Sequence, residues 1–318
     1  MARAQGARAQ LALAFESTYG TPPAANSYRR MPFASSSLGS ERPLLASELL
    51  GYGRDPLPPV PDVENADGDI VVPIDVRAWG VWLKAVFGEP DTSENLGVFT
   101  HVFESGAWTL PSLSIEVGMP EVPHFAMISG AVANTLSWTM QRSGLLTATV
   151  GLFAQGESVN GASAAGTLAE FDVLRFGQFN GAVERGGAPL GNIVSAQITY
   201  SNNLDRIETI RNDGRIEGAD PSIAALTGTI EVRFADQTLL TQAVDGDPAE
   251  LKFRFVRSAS ESFELVAHAV YLPKPRLPIQ GPQGVQATFE WQAARDSVLG
   301  RMCTATLVND VADYDNPS

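Results

Sequence analysis

Apolar and polar positions alternate with a period of two along most of the chain. Leu113, Ile115 and Val117 alternate with Ser112, Ser114 and Glu116, and Leu146, Ala148, Val150 and Leu152 with Thr147, Thr149 and Gly151. Later, Leu251, Phe253 and Phe255 alternate with Lys252 and Arg254, Phe263, Leu265 and Ala267 follow Glu261, and Val285, Ala287, Phe289 and Trp291 alternate with Gln286, Thr288 and Glu290. Such runs predict strands with one buried and one polar face, the pattern of antiparallel sheets. Two stretches break the period. Val76, Trp79, Leu83 and Val86 share one helical face in Val76–Phe87, closed by Gly88, and a weaker helical pattern runs from Gln237 to Asp245, closed by Gly246.

These elements recur in order. Asp67-Gly68-Asp69-Ile70-Val71-Val72-Pro73-Ile74-Asp75 resembles Thr227-Gly228-Thr229-Ile230-Glu231-Val232-Arg233-Phe234-Ala235-Asp236. Both end in an aspartate suited to cap the helix that follows. Each helix leads into a glycine and then a proline, Gly88-Glu89-Pro90 and Gly246-Asp247-Pro248. Val132, Thr135 and Trp138 fall on Val285, Thr288 and Trp291 at an offset of 153, Thr147-Ala148-Thr149 on Thr304-Ala305-Thr306 at 157, and Gly53-Arg54 on Gly214-Arg215 at 161. The pattern predicts two tandem units, 1–161 and 162–318. The join, Asn160-Gly161-Ala162-Ser163-Ala164-Ala165-Gly166, reads as a flexible linker. The expected fold is mainly β: two antiparallel β-sandwich or half-barrel domains, each with one flanking α-helix.

A long loop precedes the repeated strand each time, Glu41–Asp67 and Ser201–Ser222. Loops of this length in compact domains are commonly interaction elements. Both are expected to act as docking arms, with Tyr52, Arg54 and Asp55 on the first and Asn202, Asn203 and Arg215 on the second.

Charge narrows the function classes. The 318 residues carry a net charge of −14, with 36 acidic residues against 22 Lys and Arg. Tight binding to phosphates needs clustered cations, and Arg29-Arg30 with the scattered arginines form no basic stripe. The one cysteine, Cys303, sits in a strand-like run and reads as a small buried apolar residue. No stretch approaches 18 apolar residues, so neither a signal peptide nor a membrane span is expected, and the chain is expected to be made in the cytoplasm.

Candidate chemistry is sparse. His101, His124 and His268 lie far apart, none at a metal-ligand spacing. No Gly-x-Ser-x-Gly elbow or Walker loop occurs. The glycines at 177, 181, 186, 187 and 191 lack a strand–turn–helix context and read as hairpin turns. Trp79 and Trp82 read as core or interface anchors. No catalytic, cofactor-binding or metal-binding residues are assigned, and enzymatic function is unsupported.

Several stretches resemble the tail tube (major tail) proteins of long-tailed bacteriophages and related gene transfer agents. They are Phe15-Glu16-Ser17-Thr18-Tyr19-Gly20-Thr21-Pro22, Leu50-Gly51-Tyr52-Gly53-Arg54-Asp55-Pro56, Gly68–Asp75, Tyr200-Ser201-Asn202-Asn203-Leu204-Asp205, Thr227–Phe234 and Thr306-Leu307-Val308-Asn309-Asp310. The resemblance implies two packed antiparallel sheets with a flanking helix, and rings whose inner sheets join into one barrel around a DNA channel. Six tube domains per ring is the usual plan, so two domains per chain imply a ring of three chains, with six as the alternative. Three chains at −14 each give −42 per ring, a charge that lets DNA pass without tight binding. Glu116, Glu264 and Glu290 are the candidates for facing that lumen. The implied location is the virion tail, with partners among the tape measure, terminator and distal tail proteins. Other readings stay open: a terminator or distal-tail ring protein, or, in another class, an extracellular β-sandwich adhesin or carbohydrate-binding module.

Overall fold

A computed structural model describes residues 3–279 and 281–317. The chain termini named in the two predicted units, Met1, Ala2 and Ser318, and Gln280 lie outside the described residues. The fold is mainly β. Its principal strands are β1 (Gln10–Phe15), β2 (Asn65–Pro73), β3 (Asp91–Asn95), β4 (Val98–Glu104), β5 (Leu113–Met119), β6 (His124–Gln141), β7 (Thr147–Ala154) and β8 (Gly156–Asn160). They continue with β9 (Gly181–Arg185), β10 (Ile193–Ser201), β11 (Ala225–Arg233), β12 (Ala249–Ser258), β13 (Glu261–Tyr271), β14 (Gln286–Ala294) and β15 (Cys303–Asn309). Helix α1 (Trp79–Phe87) lies between β2 and β3, and α2 (Thr238–Asp245) between β11 and β12.

One order of neighbours occurs twice. In the first half, β1–β5–β6–β8 forms one layer through the start of β6, and Ser35–Glu41 pairs with β2, then β7, then the end of β6. In the second half, β9–β12–β13–β15 forms the corresponding layer, and β10 pairs with β11, then β14, then the tip of β13. Strand β6 serves both layers because it bends. Gly130 takes a left-handed φ of 64°, and the partner changes from β5 at Ala131 to β7 at Val132. A bulge or glycine is the usual way for a strand to turn such a corner.

Ile70 pairs with Ser36 and Ile230 with Ala196, so the sequence match of β2 with β11 keeps its offset of 160 in the partners as well. The downstream matches do not hold places in this order. β6 corresponds by its neighbours to β13, and β7 to β14, whereas the 153 and 157 offsets set β6 against β14 and β7 against β15. Alternating apolar strands look alike in sequence, and a slip of one strand leaves the pattern intact.

A single apolar cluster runs through both halves. Trp79 of α1 packs edge-on against Trp138 at 6.4 Å and Phe263 at 5.6 Å. β15 also pairs with β4, which carries β3 on its outer edge. Three expectations are corrected. Helix α1 is buried on every side rather than amphipathic, with Lys84 held at its Nζ by Glu89 (2.6 Å) and Asp315 (2.7 Å). Strand β5 is buried on both faces, Ser114 and Glu116 included, because Glu16 and the 163–165 segment cover its polar side. The 160–166 join is fastened, not free: Ser163 Oγ donates to one carboxylate oxygen of Glu116 at 2.6 Å and Ala164 N–H to the other at 2.7 Å.

Candidate functional site

The two halves meet strand to strand. The end of β6 pairs with β10 in an antiparallel ladder, from Thr135 opposite Ser201 to Gln141 opposite Ser195. The layer of the first half therefore runs without a break into that of the second, in the order β2–β7–β6–β10–β11–β14.

Period two then sorts the side chains. Leu136, Trp138, Ile198, Tyr200, Ile230, Phe289 and Trp291 point into the core. The opposite face carries rows of small polar groups across the seam. One row is Thr149, Ser137, Thr199, Thr227 and Gln292, the next Thr139, Gln197, Thr229 and Glu290, the third Gln141, Ser195, Glu231 and Thr288. These positions are half-buried or exposed. Hydroxyls and amides dominate, Asp69, Glu231 and Glu290 add negative charge, and Arg233 stands at the far end. Such a face carries no stripe of cations to hold a polyanion. Tyr271, Leu272 and Pro273 border a cleft of about 650 Å³ on this face beside Thr229 and Glu290.

Both long loops leave the same end of the joined sheet, and each is a hairpin. In the first arm Leu44–Leu45 pairs with Val60–Pro61, and in the second Asp205–Ile207 pairs with Gly218–Asp220. The first arm starts after Glu41 and ends before Asn65, so it is shorter than the predicted loop, whose ends are strand. Their chemistry differs. The first presents Leu44, Leu45, Leu49, Leu50 and Tyr52 to solvent, Leu50 at 92% exposure. The second is tied to the body: Arg206 bridges Asp67 at 2.5 Å and stacks over Phe153, and Arg215 Nη2 donates to the Glu157 carbonyl at 3.1 Å.

The predicted docking residues divide accordingly. Tyr52, Arg54 and Asp55 are exposed on the first arm. Asn202 is not available for docking. It is buried, and its Nδ2 donates to the carbonyls of Val86 and Ala133, both at 3.0 Å, tying α1 to β6. Asn203 takes a left-handed φ of 46° at a turn and donates to Ile223 O at 2.8 Å. Arg215 is spent on β8.

Of the acidic candidates, Glu290 alone lies on the joined polar face. Glu116 is buried and its carboxylate is consumed by the 163–164 segment, which corrects its assignment to a lumen. Glu264 lies on the part of β13 between β12 and β15, opposite Arg254 and 3.9 Å from Lys252 Nζ, away from that face. Sequence reasoning missed the β6–β10 seam. Its polar row could be found from Ser137, Thr139, Gln197 and Thr199, but no local signal pairs those segments.

Two of the three histidines are engaged structurally. His101 contacts Thr92 Oγ1 and Val311 O through its two ring nitrogens, each at 2.9 Å, and burial holds its pKa below the usual histidine value. His268 meets Thr304 Oγ1 at 2.8 Å. Burial pushes the Cys303 thiol up to about 12. Gly186 and Gly187 form the turn after β9 with positive φ. Among the described residues, no group of three or more His, Cys, Asp or Glu is placed to hold a metal ion, and no helix is long and apolar enough to cross a membrane.

No curated protein matches the chain. A model of the phage tail tube protein family matches residues 6–293. That span takes in the joined sheet almost to the end of β14, both arms and both helices. With its mainly antiparallel β fold and a match across nearly its whole length, the chain belongs to the phage tail tube protein family.

Proposed function

We propose that three copies of this chain close into a ring with the β2–β14 polar face lining its bore, and that stacked rings form the tube through which DNA passes. The observation that carries this reading is the β6–β10 ladder, which already performs once, within the chain, the edge-to-edge joining that a closed ring needs. The two units, 1–161 and 162–318, then act as alternating tube domains.

Ser35–Glu41, β2, β7, the end of β6, β10, β11, β14 and the tip of β13 supply the wall. Three chains bring about 24 strands. At roughly 4.8 Å between strands and a tilt near 45°, the backbone diameter is about 50 Å and the bore about 40 Å. A duplex about 20 Å wide fits inside with water and ions. The face is rich in hydroxyls and amides with scattered carboxylates, so the wall offers phosphates no ladder of cations, and counterion release cannot trap the genome. Closure also removes the open edges at the two ends of the sheet, which a free chain must otherwise protect from aggregation. In the single chain the carboxylate of Glu157 guards one of them, accepting the Ser40 N–H at 2.7 Å.

Rotational averaging of negatively stained particles of the purified chain tests this. Stacked rings with three-fold order and six outer lobes are expected. Isolated single rings would favour a terminator or distal-tail ring role, and a true six-chain ring would overturn the stoichiometry.

A further inference from the structure

We infer that the 272–278 segment is an unfinished continuation of β13 whose partner is the 35–41 edge of a second copy of this chain. The two meet in one register, with Lys274 opposite Glu41 and Leu277 opposite Leu38. The inference rests on the tail-tube reading above and names the residues of its lateral joint.

The repeat inside the chain supplies that register. Tyr271 faces Gln292 on β14 as Val132 faces Phe153 on β7, each 139 residues further along. Carried past Tyr271, the same offset sets Lys274, Arg276 and Leu277 in the places of Thr135, Ser137 and Trp138 on β6. The 35–41 edge pairs with β2 as β10 pairs with β11, 160 residues apart. Leu38 and Glu41 therefore hold the places of Ile198 and Ser201. In the β6–β10 ladder Thr135 faces Ser201 and Trp138 faces Ile198. The same ladder between copies sets Lys274 against Glu41 and Leu277 against Leu38.

The segment already follows this course. Lys274 and Arg276 are exposed, while Pro275 and Leu277 between and beyond them are half-buried, with Leu277 packed on the main core. Each residue before a proline, Leu272, Lys274 and Leu277, is pushed towards extended backbone. Across a cleft of about 510 Å³ lie Glu290, Thr288 and Gln286. These are the β14 residues that the β6–β7 register sets opposite Lys274, Arg276 and Pro278. Yet the β13–β14 ladder ends at Tyr271, and among the described residues no strand pairs with 272–278.

Charge favours a second copy as the occupant. Lys274, Arg276 and Glu41 are exposed and, among the described residues, form no ion pair in the free chain. Joined, Lys274 lies opposite Glu41 and Leu277 covers Leu38 on the core side. A slip of one residue puts the apolar and polar faces out of step. Both edges are also blunted against casual pairing. Pro273, Pro275 and Pro278 have no N–H to donate, and the Ser40 N–H is held by Glu157. The β6–β10 ladder has no proline on either strand. The joint between copies is therefore the weaker of the two, an edge that resists pairing outside a closing ring.

Cysteine pairs and charge reversal test the register. Arg276→Cys with Gly39→Cys puts two thiols on facing positions. A Cβ at position 39 has room, its nearest neighbour being Glu157 Oε2 at 3.5 Å, and Cys303 is buried out of reach. Treating the rings with diamide should link the chains into covalent circles of three on a non-reducing gel. Arg276→Cys with Ser35→Cys, four residues out of step, should stay unlinked. Lys274→Glu alone and Glu41→Lys alone should each raise the concentration at which rings form about tenfold, since attraction turns to repulsion at every joint. The two together should form rings more readily than either alone. Linkage through the 276–35 pair would overturn the register and leave the tail-tube reading standing. So would normal rings that stay unlinked at 276–39 and ignore both charge reversals. Failure of the unaltered chain to form rings would remove both.

Discussion

The ring of Tyr314 lies directly against the backbone of Gly80, where a methyl group would fall inside the aromatic ring. Gly80 is the second residue of α1, and within a helix glycine costs up to about 1 kcal/mol relative to alanine. The contact accounts for its presence. The C-terminal segment crosses the helix, with Asn309 Nδ2 donating to Val76 O at 2.6 Å and the Tyr314 hydroxyl oxygen 2.7 Å away. Gly80→Ala should therefore destabilise the chain by about 1–3 kcal/mol despite its better helix propensity. Tyr314→Phe, which keeps the packing, should cost about 1 kcal/mol. Denaturant melts of the two variants check the order.

Asp75 precedes α1, and its Oδ2 accepts the N–H groups of Ala78 at 3.0 Å and Arg77 at 3.3 Å. Burial nevertheless raises its pKa from 3.8 to about 6. Between those values the folded chain holds a proton that the unfolded chain has lost, so this group's contribution favours folding more as pH falls from 7 to 4. Asp75→Asn should flatten that part of the stability–pH curve. Melting temperatures at pH 4, 5, 6 and 7 for both proteins measure it.

Glu116→Ala removes the acceptor for Ser163 and Ala164 and leaves their donors unmatched beside the buried Ala165. A loss of about 2 kcal/mol is expected. Local opening at 160–166 should appear as faster hydrogen exchange there, with β14 unchanged.

Cys303 is wholly buried on β15, and its thiol is pushed up to about 12 by desolvation. Thiolate is the reactive form. A thiol reagent at pH 8 should label the native chain no faster than it unfolds, and the denatured chain at once.

If the β2–β14 face lines the bore, cations placed on it should make the tube adhesive to DNA. Thr139→Lys with Glu290→Lys adds two such charges per chain on the same row. Tubes should still form but retain duplex DNA in a salt-dependent way. Unchanged DNA passage would place the bore elsewhere.

Alternation alone reveals β14, since its Ala287, Phe289 and Trp291 need only a core on one side. The same signal misleads at β5, because whether Ser114 and Glu116 face water depends on Glu16 and Ser163, far away in sequence. Lys84 is misleading for the same reason: its acidic partners come from the helix end and from Asp315. Asn202 sits in a loop by its neighbours but carries two buried backbone carbonyls. The apolar arm was legible as a long loop, but not its contrast with the second arm, which depends on Arg206 and Arg215 finding partners on the body.

The β6–β10 ladder also bears on how a ring is counted out. A junction held inside one polypeptide forms at an effective concentration that dilution cannot lower. In a ring built as proposed, half of the lateral joins are settled at synthesis, and only three encounters remain. In such a ring the 1–161 and 162–318 modules would alternate strictly around the circumference.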